Sequence, residues 1–138
     1  NGLTGAYFPR KDLTGAAITR VDPTVNFSWG KSSPMATIPA DGFSVGWTGQ
    51  VQPQFSGPTT FHALADDGVR LWVNNVLVID RWVNSAGEPS GSITLVGGQK
   101  YAIRMEYFEN RNKAAARLSW SNGSQPKQVI PQGRLYSQ

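Results

Sequence analysis

A chain of 138 residues has the size of one domain and can bury roughly two thirds of its unfolded surface, so a single core spanning 1–138 is expected. It contains no cysteine, which excludes disulfide staples and thiolate metal sites and leaves oxygen or nitrogen ligands for any metal. The net charge of +4 comes from basic residues scattered along the chain, with Arg10-Lys11 the one adjacent pair, whereas nucleic-acid affinity needs clustered phosphate contacts.

Fifteen Gly, nine Pro, five Trp, four Tyr and six Phe suit short strands joined by tight turns, and the reading is all-β. No run approaches the 18 apolar residues of a membrane helix, so membrane insertion is not expected. The chain begins at Asn1 without an initiator Met, and the expectation is a module excised from a longer protein and tethered to other domains.

Residues 9–42 read as loop-rich, because Pro9, Pro23, Pro34 and Pro39 interrupt any long element, and only Val25 to Phe27 and Trp29 look strand-like there. Phe43, Val45 and Trp47 then share one face of a strand. After Gly57-Pro58, Thr59, Phe61 and Ala63 alternate with Thr60, His62 and Leu64 in a strand that runs into Ala65-Asp66-Asp67-Gly68. Val69 to Val73 and Val76 to Ile79 flank Asn74-Asn75, a pair that tolerates the left-handed conformation a two-residue hairpin demands. Ile93 to Leu95 meets Gly97-Gly98, and a long strand follows from Tyr101 to Phe108. Ala114 to Trp120 contains three consecutive alanines, yet that run is too short to nucleate a helix, and Ala116, Leu118 and Trp120 keep period two. So many short antiparallel strands must bury one sheet face against another, which predicts a β-sandwich with Greek-key links and with Trp29, Trp47 and Trp120 in its core.

Asp66-Asp67 is the most informative dipeptide. Adjacent like charges repel, so a cation between them is one reason for the pair, and a solvated turn before Gly68 is the other. Neighbouring side chains on a strand point to opposite faces, so both can reach one ion only where the backbone departs from the extended form. Calcium takes six to eight oxygens, and a second loop must complete the shell; Glu109 to Lys113 is the candidate, with a plain polar hairpin tip as its alternative.

The chain resembles the PA14 domain family, β-sandwich modules named after anthrax protective antigen and found also in yeast flocculins and bacterial glycosidases. The resemblance rests on Gly2 to Phe8, Phe43 to Gly49, Ala65 to Asn74, Val78 to Trp82, Tyr101 to Asn110 and Ala116 to Trp120, in that order and spacing. It implies a secreted or cell-surface, non-catalytic and monomeric module of bacterial type that binds a polysaccharide or cell-surface glycan through calcium. It also implies a cis peptide between Asp66 and Asp67, and a side-chain oxygen from Asn110, with Glu109 as the gapless alternative. Sugar contacts are expected from Asp66, Asp67, Arg111, Asn112 and Trp82, the last as a stacking indole.

Other classes stay open at this level. His62 is the only histidine and no nucleophile motif accompanies it, while the nine acidic residues could hold a pair of glycosidase carboxylates, such as Asp66 with Glu109. A structural or protein-interaction module without sugar binding is the second alternative. The sequons at Asn26 and Asn122 are read as coincidence.

Overall fold

The computed structural model describes residues 1–137. In chain order its strands are β1 (Leu3–Phe8), β2 (Ile18–Asp22), β3 (Asn26–Gly30), β4 (Phe43–Val51), β5 (Gly57–Asp66) and β6 (Gly68–Val73). They continue with β7 (Val76–Arg81), β8 (Ser90–Leu95), β9 (Tyr101–Glu109), β10 (Ala114–Asn122), β11 (Gln125–Val129) and β12 (Leu135–Tyr136). Two antiparallel sheets form: a larger one in the order β2-β1-β4-β9-β6-β7 with β12 beside β4, and a smaller one in the order β11-β10-β5-β8 with β3 beside β10. The sandwich expected from the alternation is therefore present.

Period-two burial builds the core. Tyr7, Phe43, Val45, Trp47, Leu71, Met105 and Tyr107 from the larger sheet and Phe61, Ala63, Ala65, Ala116 and Leu118 from the smaller are fully or almost fully buried. Trp120 is buried as expected, while Trp29 is only partly buried and joins an aromatic cluster, 4.8 Å from Phe27 in a stacked pair and 5.6 Å from Phe43. The alanine-rich segment is strand because β10 is paired on both sides, with β5 and with β3 or β11, and that pairing overrides local helix propensity. The hairpin at Asn74-Asn75 has positive φ at both residues, 52° and 63°, as that turn requires.

Four strands lay outside the reading of the alternation: β1, β2, β11 and β12. The loop-rich assignment of residues 9–42 is corrected by β2, an edge strand whose inward Asp22 is buried and whose outward Val21 is exposed, the reverse of an apolar-in, polar-out pattern. The strand β11 is polar, carries Pro126 and occupies a sheet edge, where proline is tolerated.

The connections between sheets place the site. β5 ends in the smaller sheet at Asp66 and β6 begins in the larger at Gly68, so the aspartate pair is itself a crossing point. The β9–β10 and β3–β4 connections also pass from one sheet to the other, and hydrogen bonds bring them to the same end of the sandwich.

Candidate functional site

The Asp66–Asp67 peptide is cis. Both side chains line one open depression, together with Lys31 from the β3 exit and with Arg111, Asn112 and Lys113 from the β9–β10 loop. The backbone around the pair is fixed by three bonds. Asp67 N–H donates to the Phe108 carbonyl at 3.0 Å, the Tyr107 hydroxyl donates to the Asp66 carbonyl at 2.6 Å, and Asn110 N–H donates to Asp67 Oδ2 at 2.8 Å. Gly68 lies against the Phe108 ring so closely that a Cβ there would collide with it, which makes glycine a requirement of the crossing.

The β9–β10 loop is held from both flanks. Lys11 Nζ donates to Asn110 Oδ1 at 2.9 Å, Asn112 N–H donates to Asp41 Oδ1 at 3.2 Å, and Asn112 itself has a positive φ of 77°. Beneath the loop, Glu109 is fully buried; Oε1 accepts from Gly42 N–H at 3.1 Å, and Oε2 has no hydrogen-bond partner.

The electrostatics follow from this crowding. Burial raises the Asp66 pKa, the neighbouring Asp67 carboxylate raises it further by hydrogen bonding and repulsion, and Lys113 opposes the rise. Burial is also the main cause that pushes Glu109 up to about 7, with the Asp41 and Asp67 charges adding to it and the Gly42 N–H working against it. Among the described residues no lysine or arginine forms an ion pair with Asp66, Asp67 or Glu109.

The residues named from sequence divide into three groups. Asp66, Asp67, Arg111 and Asn112 are brought together at one depression. Asn110 sits beside it but turns its side chain to Lys11, so only its backbone N–H meets an aspartate. Glu109 does not line the depression, and among the described residues no three His, Cys, Asp or Glu side chains converge as a metal-binding group. A fully buried Glu109 also leaves no Asp66–Glu109 pair flanking a common substrate.

Trp82 is corrected. It lines a separate depression with Lys11, Asp12 and Phe108, and its ring is engaged by the Arg70 guanidinium 3.9 Å from its centroid and by the Phe108 ring at 4.7 Å. Lys31 and Lys113 were missed, although the short spacing of Lys113 from the Glu109 to Asn112 run was a signal for the second.

Comparison with known proteins matches the PA14 domain family over residues 1–134. The chain is 45% identical over 137 residues to the Anti-sigma-I factor RsgI3 of Acetivibrio thermocellus, covering 99% of this chain and 21% of that protein. It thus spans about a fifth of the length of the curated relatives it matches. An anti-sigma factor domain-containing protein from Clostridium clariflavum superposes with a TM-score of 0.96 at 43% identity, covering 99% of this chain and 47% of that one. The PA14 sugar-binding domain from an RTX adhesin shares the fold, with a TM-score of 0.78 at 17% identity, covering 99% and 98% of the two chains.

Proposed function

The chain belongs to the PA14 domain family, and we propose that it is a non-catalytic module that binds carbohydrate through a calcium ion held at Asp66 and Asp67. One observation carries this reading: two adjacent carboxylates line a single open depression where the chain crosses between sheets, with no cationic side chain among the described residues ion-paired to them. The residues present suit calcium. Their donors are hard oxygens, and beneath the loop the buried Glu109 keeps one oxygen without a hydrogen-bond partner. The two aspartates would hold the ion, and Asn112 with the carbonyls of the β9–β10 loop would supply further oxygens. A bound calcium supplies open coordination positions that vicinal sugar hydroxyls can fill. Around it, Asp66 and Asp67 would accept hydrogen bonds from those hydroxyls, and Arg111 and Asn112 would fix the orientation of the ring.

The sugar-binding PA14 domain of the RTX adhesin supports the ligand class. The similarity to an anti-sigma factor supports a second element of the reading, that the module is the extracellular ligand-binding part of a longer regulatory protein. An array of mono- to tetrasaccharides, run with calcium and again with chelator, tests the proposal alongside the Asp66→Ala/Asp67→Ala double variant. Signals that require calcium and vanish in the variant are expected. Signals that persist unchanged in chelator and in the variant contradict the reading.

A further inference from the structure

Strand register turns the outward face of the larger sheet into an ordered grid. Thr4, Thr48, Arg104 and Trp72 form one row across β1, β4, β9 and β6, and Ala6, Gly46, Glu106 and Arg70 form the next. A third row, Phe8, Ser44, Phe108 and Gly68, ends at the glycine that follows the aspartate pair. From the first row to the third is four residues of strand, roughly 13 Å, longer than a single sugar ring.

Two adjoining depressions occupy this face and share Arg104. One continues over Gly46 and Ala6 toward Phe8 and Leu13, and the other lies against Trp72 and Asn75. Gly46 and Ala6 keep the floor low. Leu13, whose N–H is fixed by Ser44 Oγ at 3.0 Å, reaches to within 3.9 Å of a Cβ built on Gly46 and forms one wall. Trp72 forms the opposite wall, with Arg104 and Arg70 at 5.2 and 6.0 Å from its centroid.

The polar centre is held rigidly. Glu106 is buried and accepts from Arg70 at 3.0 Å and from Arg104, whose side chain is 58% exposed. Among the described residues, the Arg104 side chain makes no hydrogen bond other than the one to Glu106, which leaves guanidinium N–H groups aimed by the ion pair and without a protein acceptor.

We propose that this face is a second carbohydrate-contact groove, which holds an internal stretch of a polysaccharide whose end or branch is bound at the aspartate pair. The proposal rests on the carbohydrate reading of the calcium site and extends it from a single sugar to a polymer. The chemistry matches a pyranose chain. Indole and leucine walls meet the C–H faces, while Arg104, Asn75 and Thr48 offer hydrogen bonds to the hydroxyl rim. A protein partner fits less well, because the core of a protein interface is depleted in charge and the centre of this groove is an Arg–Glu–Arg network.

Affinity electrophoresis in gels containing a soluble xylan, mannan, galactan or β-glucan tests the proposal, with Trp72→Ala and Arg104→Met measured beside the wild type and beside Asp66→Ala/Asp67→Ala. Retention by the best polymer is expected to weaken about tenfold in Trp72→Ala and several-fold in Arg104→Met. Calcium affinity and binding of the matching disaccharide should stay unchanged. Near-UV circular dichroism and the thermal midpoint show whether each variant is folded, and the exposed Arg104→Met variant keeps the test valid if Trp72→Ala unfolds. Unchanged polymer retention in folded Arg104→Met overturns the groove and leaves the calcium reading standing. Retention that ignores calcium but falls in both groove variants supports the groove and overturns the calcium reading, and a wild type that no polymer retains overturns the groove as well.

Discussion

Carboxylates are buried at three places in this sandwich, and two of them keep opposite company. In the larger sheet Asp22 accepts from the Tyr7 hydroxyl at 2.5 Å, from Trp47 Nε1 at 2.8 Å and from Arg20 Nε at 2.7 Å, and the absence of a side chain at Gly5 makes room for it. Both of its oxygens are satisfied and its charge is paired. At the end of the sandwich Asp66 and Asp67 line the depression and Glu109 lies buried beneath the β9–β10 loop, with backbone N–H donors to Asp67 and Glu109 but no ion-pair partner for any of the three among the described residues, and one oxygen of Glu109 has no hydrogen-bond partner. The first arrangement is complete as it stands and serves the fold. The second is held by backbone donors with no direct ion pair, although Lys31, Arg111 and Lys113 line the same depression, and a bound cation is what the calcium reading would add to it.

Removing each carboxylate should expose that difference. Asp22→Ala strips the shared acceptor from two buried donors and leaves Arg20 without its ion pair, so a loss of about 3–5 kcal/mol in denaturant unfolding is expected. In Asp66→Ala/Asp67→Ala, measured in chelator, stability should stay level or rise, because repulsion is relieved; a loss as large as that of Asp22→Ala would erase the contrast.

A smaller effect concerns pH. The Glu109 pKa is raised from 4.5 to about 7 in the folded chain, and that of Asp66 is raised as well, so both carboxyls favour folding most while protonated. Their contribution is whole below the unfolded value and is lost as pH rises through the folded one. In chelator the thermal midpoint should therefore fall between about pH 4.5 and pH 7, by the equivalent of about 3 kcal/mol at most. Glu109→Gln should flatten that slope, and a slope identical to the wild type would show that Glu109 does not cause it.

The satisfied region was the harder one to read from sequence. Asp22 breaks the alternation of β2 because a charged residue points inward, and its three donors come from β1, β2 and β4, so nothing local announces the network. The strands β5, β6, β9 and β10 were legible because their apolar positions repeat every second residue. The Asp66-Asp67 pair was legible because two acids at a strand end need a reason. Its neighbours depend on the meeting of two crossings, which brings Arg111, Asn112 and the unforeseen Lys31 to the aspartates' depression and leaves Trp82 at a separate one. The grid of Trp72, Arg104, Glu106 and Arg70 needs the β6–β9 register, which pairs residues more than thirty positions apart.

Calcium titration calorimetry on the isolated chain reaches the central claim most directly. One ion per wild-type chain, with no detectable heat from Asp66→Ala/Asp67→Ala, is the expected result. A wild type that takes up no calcium, or a double variant that binds it equally well, would contradict the account.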